Sequence, residues 1–317
     1  MVCDRSSRRR SYNQSLNKKL ALTAALLVGV AETSAAQARP CPPAGWTIAQ
    51  LDALKANKFA IAEPPRRQAL ALGLTACLGN PDSSIRDGIA FEALSAFMRA
   101  SELDRDTLTA IKDEQLATVA SPDTAGLQQP FAALVLSEVA RTDRVSAWLS
   151  DKERDAMVTA AAKFLSSITD YRAFSNAEGF RHGVAHGADF AMQLALNPAV
   201  AKPQLDRLLA AIAIQIAPRD PQVAYWAGEP DRLARAVVVI AQRKLHSDDE
   251  WNAWFTALMN PAPIRSWAVA INSEIGIRKR HNVRAFLLSV FATASTSEDS
   301  GLKQLIGPVQ DALKLVP

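Results

Sequence analysis

Apolar residues in this chain recur at threes and fours, and nowhere do they alternate with polar ones for more than a few positions. Ile89, Phe91, Leu94, Phe97 and Met98 show the pattern, which is the stripe that one face of an amphipathic helix buries. The punctuation between stripes agrees with it. Thr47 with Gln50, and Ser150 with Glu153, have the form of capping boxes that satisfy the orphan amides of a first helical turn. Pro64-Pro65, Pro130, Pro203 and Glu229-Pro230-Asp231 put proline where a helix starts, the one place it costs no hydrogen bond. The chain is 49% hydrophobic but only 6% aromatic, and its Ala and Leu favour helix over strand. Helix pairs beginning near Glu63, Asp104, Ser150, Pro203 and Asp248 lie about 40–55 residues apart, the long end of HEAT and armadillo spacing. The expected fold is therefore all-α, a HEAT-like α-solenoid of stacked helix pairs with a closed α/α toroid as the alternative. With no low-complexity linker after residue 38, residues 39–317 read as a single all-helical domain.

The first 38 residues read differently. Arg5, Arg8, Arg9, Arg10, Lys18 and Lys19 precede the apolar run from Leu20 to Val30, and Ala36-Gln37-Ala38 is a small-residue cleavage site. That order is the anatomy of a signal peptide, and the run is shorter than the roughly 20 residues a membrane span needs. Ser7-Arg8-Arg9-Arg10 also loosely fits twin-arginine export. The overall charge of +4 belongs to this segment: it holds six of the 36 basic and two of the 32 acidic residues, leaving 30 of each beyond it. A neutral remainder lacks the footprint of a nucleic-acid binder. The expected place is periplasmic or secreted, with no transmembrane segment once the signal is cleaved and with a monomeric state. In such an oxidising compartment, Cys41 and Cys77 are candidates for one disulfide.

The chemically capable residues concentrate between Asp170 and Pro198. His182, His186 and Asp189 fall on one face of a helix expected from Arg181 to Asn197, at about 100° per residue. Imidazole and carboxylate are ligand types for zinc and similar divalent ions. His182 and Asp189 stand about 10 Å apart along the axis, however, so one ion would need further partners. Candidates are His281, Glu229, Asp231 and Asp170. A buried hydrogen-bond network explains the same residues, with Asp189 fixing the tautomer of His186. Gly183 and Gly187 form a small-residue strip that suits close helix packing. Asp170-Tyr171-Arg172 is placed to fold over the helix start, and His281-Asn282 and Glu229 read as starts of other helices. Trp251, Trp254 and Trp267 read as core. No nucleophile elbow, H-E-x-x-H, phosphate loop or dinucleotide fingerprint occurs.

Asp170-Tyr171-Arg172, the run Arg181-His182-Gly183-Val184-Ala185-His186-Gly187-Ala188-Asp189, Gly228-Glu229 with Arg232-Leu233, and His281-Asn282 together resemble an uncharacterised bacterial family, domain of unknown function 2785. The resemblance runs from about Trp46 to Phe291 and is most specific in its H-x-x-A-H-x-A-D core. It implies an all-helical fold and no particular activity. Ala173 and Phe180-Arg181 stand where the family often has glycine and tryptophan.

Two functions fit these readings. One is a binding or scaffold protein that offers a helical surface to a peptide, an envelope protein or a small ligand. The other is a hydrolase-like enzyme in which His182, His186 and Asp189, with His281, hold a divalent metal such as zinc. In that reading His186, Asp189 and Glu229 are the candidate acid/base groups.

Overall fold

In a computed structural model of the protein, residues 39–316 are described; the expected signal peptide, residues 1–38, lies outside the described residues. The described residues are mostly helical. Helices α1 (Ile48–Ala56) and α2 (Pro64–Leu74) lead through a 3-10 turn, Thr75–Gly79, to α3 (Ser83–Ile85). A π-helical segment, Arg86–Phe91, then continues into α4 (Glu92–Arg99), followed by α5 (Arg105–Ala120), α6 (Gln128–Val145) and α7 (Asp151–Ser167). A short antiparallel hairpin, β1 (Phe174–Ser175) with β2 (Gly179–Phe180), precedes α8 (Gly183–Ala195), α9 (Lys202–Ile216) and α10 (Glu229–Gln242). The chain closes with α11 (Asp248–Leu258), the 3-10 segment Trp267–Asn272, α12 (Glu274–Ser295), α13 (Ser300–Lys303) and α14 (Ile306–Leu315).

Alternate helices are neighbours. α6 packs on α8, α8 on α10, α10 on α12 and α12 on α14, while α5 packs on α7 and α7 on α9. Each helix buries its apolar stripe against such neighbours. α8 sits in the middle, and 11 of its residues from Gly183 to Ala195 are buried. A side chain at Gly187 would put its Cβ 2.7 Å from Leu165 Cδ2. The glycine therefore lets α8 approach α7, as the small-residue strip implies.

Both expected capping boxes are present, at Thr47–Gln50 and Ser150–Glu153, and a third forms at Ser247–Glu250. Cys41 and Cys77 are bridged. Among the described residues no helix is long and apolar enough to cross a membrane.

Three sequence expectations change. Ser273 caps α12 through the Gly276 amide, so the helix begins at Glu274 and His281 stands two turns inside it. The basic run Arg278-Lys279-Arg280, which in sequence reads as a solvated turn before His281, is consequently helical: Arg278 pairs with Glu274, and the Lys279 ammonium donates to the Asn260 carbonyl, with burial holding its pKa below the ordinary range. The glycine-proline pair Gly307-Pro308 predicts a break or kink within a helix from Leu302 to Leu315; the break falls instead at Gln304-Leu305, and Gly307-Pro308 lies in the first turn of α14, where the missing proline N–H has no helical acceptor anyway. The third change concerns His182, which is not on the α8 helix at all.

Candidate functional site

His182 is the residue before α8, with φ 52° and ψ 38° in the left-handed region. Other non-glycine residues with positive φ, Lys58, Phe59, Ser101 and Lys244, follow helices, where a left-handed residue is an ordinary terminator. His182 instead precedes one. The conformation costs an L-residue about 1–2 kcal/mol. Here it turns the imidazole out of the helical row, and Nε2 donates to the Ala227 carbonyl at 3.1 Å.

That carbonyl belongs to the segment between α9 and α10, which the fold holds at every turn. The Tyr225 amide donates to Asn282 Oδ1 at 2.8 Å, and Asn282 Nδ2 donates to the Val223 carbonyl at 3.0 Å. His281 Nε2 donates to the Tyr225 carbonyl at 2.7 Å. The Tyr225 hydroxyl donates to the Gln215 carbonyl at 2.8 Å, and burial pushes that phenol far above its usual pKa. Glu229 Oε2 accepts from the Ala227 amide at 3.0 Å, and Gly228, at φ 94°, makes the turn into α10. Glu229 and His281, together with His182, therefore do converge, but on a loop backbone rather than on His186.

Between Tyr225 and Ala227, both held, stands Trp226, which is 68% exposed. The opposite side of His182 shows the same construction. The Phe180 ring lies 4.3 Å from the His182 ring and 4.8 Å from Phe174, and Phe174 and Phe180 are both about two-fifths exposed. Their hairpin is held from below by Arg86, fully buried, which donates to the carbonyls of Glu178 at 2.6 Å and Phe180 at 3.0 Å. The same guanidinium lies 4.7 Å over the Phe131 ring, and Phe131 meets His186 edge-on at 4.9 Å.

His186 lies in the first turn of α8, 5.8 Å from His182 between ring centres. Its Nδ1 donates to the Pro130 carbonyl at 3.2 Å. Pro130, and not Asp189, thus fixes the tautomer, leaving the lone pair on Nε2. Burial lowers the His186 pKa to about 3, with the neighbouring His182 a smaller cause, and burial lowers His182 as well. Both imidazoles are neutral at physiological pH. Asp189 faces Arg232 of α10 at 2.5 Å; burial still raises its carboxyl above the usual range, with Arg232 opposing. Asp170 lies apart, paired with Arg172 at 2.5 Å; both line a cavity of about 110 Å³ with Gly183 and Arg181. The Asp170-Tyr171-Arg172 segment does fold against the start of α8.

Among the described residues no group of three or more His, Cys, Asp and Glu is placed to hold a metal ion. His182 and His186 each keep one free nitrogen, the nearest approach to a donor set; Asp189 is engaged by a cation and His281 by the Tyr225 carbonyl. Sequence reading missed Trp226 and Phe180. The available signal was a Tyr-Trp pair inside Pro218–Gly228, a stretch whose prolines and charges otherwise mark it as a loop.

No curated protein and no solved structure matches this chain. The pattern of one family, described as protein of unknown function DUF2785, matches residues 116–291, from within α5 to within α12. That span covers His182, His186, Asp189, the Trp226 loop and Asn282, and the chain belongs to this family of uncharacterised proteins.

Proposed function

We propose that the protein is an exported binding module whose ligand docks on the aromatic rim formed by Phe174, Phe180 and Trp226 around His182. The observation that carries this reading is Trp226. An exposed indole gains almost nothing for stability, yet three side chains from two helix regions, His182, His281 and Asn282, hold the backbone on either side of it. A rigidly presented aromatic with a polar neighbour is the usual form of a recognition surface. His182 Nδ1 supplies an acceptor there and Arg232, with a 39% exposed side chain, a cation. A ligand with a flat apolar face beside hydrogen-bonding groups, such as a sugar ring or an aromatic side chain of an envelope peptide, fits that chemistry. Export is supported by the signal-like first 38 residues and by the Cys41–Cys77 bridge, since disulfides persist in oxidising compartments.

Glycan and short-peptide arrays probed with the wild-type protein and with Trp226→Ala test this. The expected result is a retained ligand class that Trp226→Ala and Phe180→Ala lose without a change in melting temperature. Retention by both variants equal to wild type sinks the reading.

A second reading, a metal-dependent or acid/base hydrolase, has one observation in its favour: two neutral imidazoles 5.8 Å apart, each with a free lone pair. Zinc takes three or four protein ligands, and Arg232 lies against the third candidate, Asp189. Protein purified without chelator would carry about one equivalent of zinc under this reading, and His186→Ala would lose it. Metal-free protein that melts unchanged in chelator contradicts it.

A further inference from the structure

A second pocket lies far from this rim, at the other end of α6. Pro130, at the start of that helix, holds His186; Val145, at its end, walls a cavity of about 210 Å³. Along the helix the two points are about 22 Å apart. The cavity has an apolar body made by Met98 and Leu103, both buried, with Val145 and Trp148. Its size exceeds the ~150 Å³ of an apolar cavity that holds benzene.

The polar lining is one-signed. Arg105 and Arg141 face the cavity together with the hydroxyl-bearing Ser101 and Ser146, and no carboxylate lines it. Most acids nearby in sequence are already engaged, and Asp106, beside Arg105, is exposed and does not line the cavity. Glu138 is paired with Arg99, Asp143 with Arg154 and Glu102 with Arg67, while Asp104 caps α5. Arg105 is spoken for in part, since it donates to the Trp148 carbonyl at 3.0 Å and lies 5.7 Å over the Trp148 ring. Arg141, half-buried, has neither a hydrogen bond nor an ion pair among the described residues. A guanidinium brought half out of water with no acceptor is costly unless an anion arrives.

The walls are also fixed in advance. The Trp148 indole N–H donates to Thr142 Oγ1 at 2.9 Å and its amide to Asp143 Oδ1 at 2.9 Å. A preformed apolar pocket with a few convergent polar groups is the ordinary form of a small-molecule site.

We propose that this cavity binds a small carboxylate with a short apolar tail of about five carbons, its tail against Met98 and Trp148 and its carboxylate on Arg141. The assignment is independent of the rim and of what the rim binds. Hexanoate and hexanamide are matched probes, because they share the tail and differ in charge. Titration calorimetry on the purified protein is expected to give saturable hexanoate binding with a Kd of about 1 mM or tighter. Hexanamide should bind at least about tenfold more weakly, the usual premium of a charge-assisted bond. Arg141→Gln should reduce hexanoate to the level of the amide, and Val145→Trp, at a 60% exposed position, should fill the cavity and abolish both. Absence of saturation, equal affinity for acid and amide, or binding untouched by both substitutions overturns the assignment. The comparison of acid with amide uses the unaltered protein, so it decides the matter even where a variant folds poorly.

Discussion

Trp226 and Trp251 show two different uses of one residue type. Trp251 is 1% exposed in α11, with Trp254 at 6.1 Å, Phe255 at 6.4 Å and the His246 ring at 5.1 Å. Its indole N–H has no partner among the described residues. Trp226 is the reverse: its ring stands in solvent while the backbone on each side is held by polar side chains. In the first region hydrogen bonding is sacrificed for apolar packing; in the second, packing is forgone and hydrogen bonds fix where the ring stands. Burial accounts for the first tryptophan. Burial does not account for the second, and the proposed binding role gives it a use.

The contrast breaks if the two sites respond alike to truncation. Trp251→Ala should have the largest effect, destabilising the protein by about 3–5 kcal/mol in denaturant melts, because a large cavity opens in a region with no polar compensation. Loss of less than about 1 kcal/mol would mean that the cluster is not core.

Acid should come next, through the histidines beneath the rim. Burial depresses His186 to about 3 from its ordinary 6.5, so the unfolded chain binds the proton and the folded one does not. Its contribution is fully present above about pH 6.5 and is lost as pH falls toward 3. The slope for one proton is about 1.4 kcal/mol per pH unit, or roughly 2–3 kcal/mol between pH 6.5 and 4.5, with His182 acting in the same direction. Stability curves of wild type and His186→Gln should diverge across that window; parallel curves would remove His186 as a buried neutral group.

Asn282→Ala is expected to cost about 2 kcal/mol by leaving the Tyr225 amide and the Val223 carbonyl unsatisfied. Trp226→Ala should change stability by no more than about 0.5 kcal/mol, as an exposed site does. A loss of 2 kcal/mol or more there would make Trp226 structural after all.

The sequence made the α-helices readable because helical periodicity and caps are local. Thr47, Ser150 and the prolines announce their helix starts without knowledge of any neighbour. The candidate stretch was readable as a location, since two histidines and an aspartate in an alanine-rich helix stand out. Its geometry was not. The left-handed turn at His182 arises because the imidazole finds a carbonyl 45 residues away, and the Tyr225 amide finds Asn282 from 57 residues away. Helical spacing predicts one face, and a tertiary hydrogen bond overrides it. Ser273-Glu274 was a legible start for α12, masked by the basic run that follows. The partner of Asp189 was near to hand, since Arg232 adjoins the Glu229 segment already singled out; what periodicity lacks is the pairing of α8 with α10.

The Tyr225–Ala227 backbone is fixed although Trp226 between is exposed. Native-state hydrogen exchange reads this directly, because a free loop and a held one differ by orders of magnitude in amide protection. Strong protection is expected at the Tyr225 and Ala227 amides in the wild-type protein, with loss of the Tyr225 protection in Asn282→Ala. Exchange of both amides at the rate of an unstructured loop in the unaltered protein would contradict it.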